Sequence, residues 1–189
     1  MTLNKDTVPA FPGLLRFSHT AMATLWEIIV NHGDKTYAGQ AAAAAFDQLD
    51  RLEADLSRFL PNSDISRLNI IEPGEWLRVG LHTFTCLERA VQLRNLTNRS
   101  FDCCAALMWT GEREKELRDV KQYLAKADSE EPLQFNRETI EVSRRYREVS
   151  IDLGGIANGY GVDVLLETLA EWDIQNVLVH GGASTARAS

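Results

Sequence analysis

Apolar residues along this chain fall into two rhythms, one of period two and one close to 3.6. Thr24–Val30 (TLWEIIV) is dense in β-branched and aromatic residues, and Asn31-His32-Gly33-Asp34 closes it, which predicts a strand and a turn. Asp34 then suits the N-cap of a long helix. Ala41–Ala45, Phe46, Leu49, Leu52, Leu56 and Phe59 form its apolar stripe, with Asp47, Asp50, Arg51, Glu53 and Asp55 largely opposite. Five consecutive alanines favour helix and allow close packing. Pro61-Asn62 ends that helix, and Ser63-Asp64 caps a short helical turn reaching Asn69.

Beyond it, Glu75–Val79 reads as a short strand entered from Pro73-Gly74, and Leu81–Leu96 as a second amphipathic helix. Glu112–Lys126 is a charged surface helix followed by a polar connector. Leu133–Phe135, Thr139–Val142 and Glu148–Leu153 are expected as strands, Ile156–Trp172 as a helix, and Asn176–Val179 as the last strand. Helices that do not strictly alternate with strands predict an α+β fold, a mixed and mainly antiparallel sheet with packed helices, over a doubly wound one.

Charge and cysteine content narrow the function. Among 189 residues, 20 Lys and Arg face 27 Asp and Glu, a net charge of −7, so generic nucleic-acid binding is disfavoured. No apolar run is long enough for a membrane span or a signal-peptide core. Three cysteines, Cys86, Cys103 and Cys104, match neither a disulfide framework nor CxxC metal spacing. A reducing, cytoplasmic setting is the simpler expectation, and a periplasmic one follows if an export signal was removed.

The segment from Ile151 to Asp163 (IDLGGIANGYGVD) carries the chemistry: an acidic residue at a strand end, two glycines at a turn, then a helix start. Such a junction lets backbone approach a ligand and offers unpaired N–H groups to an anion. The residues alone leave open whether these glycines serve a ligand or only a tight β–α connection.

Five segments, in order, resemble the ApbE-like FAD:protein FMN transferases, from about His19 to the C-terminus. They are His19–Thr24 (HTAMAT), Leu56–Phe59 (LSRF) with Ser63–Asn69 (SDISRLN), Ser100-Phe101-Asp102, Asp152–Asp163, and Val179–Gly182 (VHGG). The resemblance implies a T-fold-like domain over residues 19–189 behind an extension of residues 1–18, with its C-terminal part lacking. It implies FAD as substrate, Mg2+ at the pyrophosphate, and transfer of FMN to a Thr or Ser of a target flavoprotein with release of AMP. By the same resemblance Met22 contacts flavin, Phe59 packs on the cofactor, and Ser100, Phe101 and Asp102 line its pocket. Asp152 accepts cofactor hydrogen bonds, Asn158 touches the cofactor, and the Gly155 carbonyl faces the metal.

Each position has a plainer reading. Met22 and Phe59 suit a core, Ser57, Ser66 and Asn69 suit turns and caps, and Asp102 suits a helix cap. The sequence also departs from the family: Ala23 stands for a usual Gly, Cys103-Cys104 for Pro-Thr, and Asn158 for a usual Lys. The family's later metal-binding Asp and Thr or acidic positions have no counterpart before Ser189. The expectation is therefore an impaired transferase completed by a complementary chain or a segment cut from the same precursor, or alternatively a non-catalytic FAD-binding or interaction protein whose open edge is covered by self-association.

Overall fold

The computed structural model describes residues 13–105, 113–127 and 130–189, in two compact units. The first twelve residues of the expected extension, and position 112 of the charged helix, lie outside the described residues.

The first unit, residues up to Leu49 and from Gly161 onward, is built on a four-stranded antiparallel sheet of order β1-β2-β6-β7. Its strands are β1 (Leu14–Ala21), β2 (Thr24–Asn31), β6 (Val177–Gly181) and β7 (Thr185–Ala188). Two of these, β1 and β7, are additions to the sequence reading. In β1, Leu15, Phe17, His19 and Ala21 share one face with Val30, Ile28 and Trp26 of β2, to which they are paired or adjacent. Because β1 begins at Leu14, residues 14–18 of the expected extension belong to the sheet.

Helix α1 (Lys35–Leu56) begins where expected, because Asp34 Oδ1 accepts the N–H groups of Thr36 at 2.8 Å and Tyr37 at 3.0 Å. It stops at Leu56, before Phe59. Ala38, Ala41, Ala42, Ala45 and Leu49 join Trp26, Ile28, Val30, Leu165, Val177 and Val179 in one buried core. The small alanine faces permit close helix–sheet approach. Trp26 demands the same of glycines: a Cβ at Gly161 or Gly181 would sit 2.8 Å from its Cη2. These two motif glycines make room for an indole.

Across the other side of β2, Glu27 is buried between Arg16, whose Nε donates to it at 2.7 Å, and His180, 3.9 Å away. The Arg16 hydrogen bond holds the Glu27 carboxyl below the usual carboxylate range, against the opposing effect of burial.

The second unit, Asp50–Tyr160, carries a three-stranded antiparallel sheet of order β3-β5-β4. Its strands are β3 (Leu77–Arg78), β4 (Leu133–Asn136) and β5 (Glu141–Arg144). Its helices include α2 (Asp64–Leu68), α3 (Leu81–Leu96) and α4 (Arg113–Ala127), and α5 (Ala157–Glu171) starts in it. Ser63 caps α2 by accepting Ser66 N–H at 3.0 Å, as its sequence suggests. Gly80 at the N-cap of α3 has no side chain to do this. The buried Asp64 substitutes, taking Gly80 N–H at 2.7 Å and the Thr83 hydroxyl at 2.9 Å.

The expected strand Glu148–Leu153 is not one. Val149, Ser150, Ile151 and Leu153 are buried, but their segment bonds to irregular chain, with Ser150 N–H on Cys104 O at 3.1 Å and Asp152 N–H on Cys103 O at 2.8 Å. The alternating apolar residues are accommodated there without a regular ladder.

Candidate functional site

The residues nominated by sequence divide between the two units. Met22 belongs to the first, at the apex of the β1–β2 hairpin. Met22 and Ala23 have φ of +50° and +57° between the paired Ala21 and Thr24, a two-residue turn of the kind that favours glycine. Met22 packs partly against the first unit's core.

Most of the others lie in the second unit. The loop after α1 is fixed by its own serines: Ser63 Oγ donates to Ser57 O, Ser66 Oγ donates to Arg58 O at 3.0 Å, and Ser57 Oγ accepts Phe59 N–H at 3.2 Å. This supports the plainer reading of Ser57 and Ser66. It leaves Phe59 78% exposed, which removes it from the core. The Arg58 guanidinium lies over the Phe59 ring, 4.6 Å from its centroid, while its Nε is 3.0 Å from Asp152 Oδ2. Phe59 and Asp152, 93 positions apart, thus meet on one side chain.

Asp152 is half-exposed, and its Oδ1 accepts Gly154 N–H at 2.8 Å, which shapes the Gly-Gly turn. Phe101 covers that turn: a Cβ on Gly155 would lie 3.0 Å from Phe101 Cε2. Phe101 itself is tied back through its N–H to Thr97 Oγ1 at 3.1 Å, and Ser100 is exposed, with its N–H on Thr97 O. Asn158 sits half-buried in the first turn of α5. Phe59, Phe101, Asp152 and Gly155 therefore form a linked set through Arg58 and the glycine turn.

Asp102 points elsewhere. Its Oδ2 accepts Arg94 Nε at 3.0 Å and the Tyr123 hydroxyl at 2.8 Å, and its Oδ1 accepts Cys104 N–H at 2.9 Å. Arg94 is almost wholly buried and also donates to Ala127 O at 3.2 Å. Burial, with the neighbouring Cys104 and the Asp102 hydrogen bond, pushes the Tyr123 hydroxyl well above its usual range. The Asp102 carboxylate is thus committed to holding α3, α4 and the Phe101 segment together. Arg94 and Tyr123 carry no local sequence signal for these contacts, whereas Arg58 and Asn69 fall inside the LSRF and SDISRLN segments.

A hard divalent cation wants several oxygen ligands, carboxylates prominent among them. Gly155 offers one carbonyl, and the Asp152 carboxylate beside it already faces Arg58 and Gly154 N–H. Among the described residues, Asp102, Cys103 and Cys104 are the one group of three His, Cys, Asp or Glu side chains with ligand atoms all within 4.8 Å. Their carboxylate is taken, and the Cys103 hydrogen bond and burial push the Cys104 thiol well above its usual range. This donor set does not fit Mg2+.

The ApbE family profile matches residues 22–188. The chain belongs to the ApbE family. An FAD:protein FMN transferase of Vibrio cholerae serotype O1 is 28% identical over 147 residues, covering 71% of this chain and 42% of that protein. Among solved structures, the flavin transferase ApbE of Vibrio cholerae superposes with a TM-score of 0.77 at 21% identity, covering 93% of this chain and 59% of its own. The ApbE protein of Thermotoga maritima gives 0.69 at 22% identity, covering 89% and 57%. The ApbE likeness bears out the α+β, mainly antiparallel architecture. The chain spans less than two thirds of the length of these relatives. Among the described residues no helix is long and apolar enough to cross a membrane.

Proposed function

We propose that this ApbE-family chain supplies the FAD-recognising part of an FAD:protein FMN transferase. In that reaction a Thr or Ser hydroxyl of a target flavoprotein attacks the FMN-side phosphorus of FAD. A new P–O bond forms, the pyrophosphate bridge breaks, AMP leaves with the bridging oxygen, and the hydroxyl gives up its proton. What carries the reading is the linked set of Phe59, Arg58, Asp152, the Gly154-Gly155 turn and Phe101, in a chain matched by the family over most of its length.

In this reading the exposed Phe59 ring stacks on a planar ring of FAD, and Asp152 accepts a hydrogen bond from the ligand. Phe101 and Ser100 border the turn at which the dinucleotide backbone passes. Asn158, in the first turn of α5, lies among N–H groups suited to phosphate oxygens but brings no charge of its own. Asp102 acts indirectly, by holding Phe101 in place. Met22 keeps the flavin-contact role that the family resemblance implies for it.

Mg2+ at the pyrophosphate would require carboxylates beyond the Gly155 carbonyl, from further polypeptide, a complementary chain or a second copy. The uncharged Asn158 favours a second reading, an FAD-binding or interaction protein without turnover. Incubating the chain with FAD, Mg2+ and a Thr-bearing acceptor flavoprotein separates them. AMP and flavinylated acceptor support the transferase, FAD binding without AMP supports the second reading, and neither refutes both.

A further inference from the structure

We propose that Arg58 is a positioning residue of this site, holding the Asp152 carboxylate and the Phe59 ring together to receive a planar heteroaromatic ring that carries a hydrogen-bond donor on one edge. The assignment rests on the functional reading above and names the part of the ligand that reading leaves unspecified.

Arg58 is arranged as a support rather than as a surface cation. Its side chain is 24% exposed, against 36% for Asp152, and the neighbouring Phe59 is largely open to solvent. Its backbone is anchored by Ser66 Oγ, so the guanidinium has a fixed origin. A planar guanidinium can stack on an aromatic face and address a carboxylate in its own plane at once, which a lysine ammonium cannot. Each Asp152 oxygen has two acceptor directions; Gly154 N–H takes one at Oδ1, and Oδ2 faces the Arg58 Nε as an ion pair at 3.0 Å, so capacity remains for a ligand N–H. The Asp152 acceptor beside the Phe59 face complements a ring edge that presents an N–H. Both the isoalloxazine and the adenine of FAD have such an edge.

The test is equilibrium titration of the full chain and of its Arg58→Met and Arg58→Lys variants with FAD, riboflavin and ADP. Fluorescence follows the flavins and calorimetry follows ADP. Arg58→Met is expected to weaken FAD about tenfold or more and to weaken just one of the two fragments. Loss of riboflavin binding assigns the isoalloxazine, and loss of ADP binding assigns the adenine. Arg58→Lys, which keeps a charge opposite Asp152, is expected to melt with the wild type and lose less affinity. Unchanged FAD affinity in Arg58→Met, or equal loss for both fragments, overturns the assignment while the functional reading stands. A wild-type chain that binds neither FAD nor riboflavin overturns both.

Discussion

Asn69 and Ile151, 82 positions apart, exchange two hydrogen bonds: Asn69 Nδ2 donates to Ile151 O at 3.0 Å, and Ile151 N–H donates to Asn69 Oδ1 at 2.7 Å. One side chain thus does for Ile151 what a neighbouring strand would do. It also fixes the backbone immediately before Asp152. Replacing Asn69 by Ala strands a buried donor and acceptor, and is expected to cost about 2–3 kcal/mol in denaturant unfolding. Asn69→Asp, which keeps the acceptor but loses the donor, is expected to be destabilised as well.

The Arg94–Asp102 pair invites a double-mutant cycle. Removing the Asp102 charge leaves a guanidinium buried to 99% without its main counter-charge. Asp102→Asn is expected to destabilise by about 3–5 kcal/mol. Adding Arg94→Met to it is expected to recover part of that loss, because the orphaned charge is gone. Strict additivity in urea midpoints would mean that the pair is not coupled.

At the β1–β2 turn, Ala23 holds a left-handed conformation with φ of +57°. Here the departure from the family's glycine has a conformational cost rather than a steric one: the residue is exposed, and L side chains disfavour this region. Ala23→Gly is expected to raise unfolding stability by about 1 kcal/mol. A lower midpoint would contradict this.

Glu27 sets an acid limit on the first unit. Its folded pKa lies below its unfolded one, so its contribution is present above the unfolded value of about 4.3 and is lost as pH falls through the folded value. Melting followed from pH 7 down to strongly acidic pH is expected to show a steeper decline in the wild type than in Glu27→Gln.

Much of this was legible in the chain, for local reasons. Leu81–Leu96 is helical over the expected span, and the Asp34 and Ser63 caps are read directly from residues beside the helix starts. Strand β1 also carried its signal, since Leu15, Phe17, His19 and Ala21 alternate with Leu14, Arg16, Ser18 and Thr20. What escaped depends on long-range partners. Alternating apolar residues at 149–153 look like a strand until the partners prove to be loop carbonyls and an asparagine side chain. The packing of Gly161 and Gly181 on Trp26 cannot be inferred from a glycine motif, and glycines that suggest ligand approach turn out to accommodate an indole. Asp102 was visible as a residue with a purpose, but Arg94 and Tyr123 define that purpose, and nothing local links them.

The central claim is that Asp152, held by Arg58 beside Phe59, recognises FAD. Equilibrium titration of FAD into the wild-type chain and into Asp152→Ala tests it most directly. Saturable binding with one site, weakened about tenfold or more in a variant that melts like the wild type, is the expected result. Equal affinity in the two proteins would contradict it.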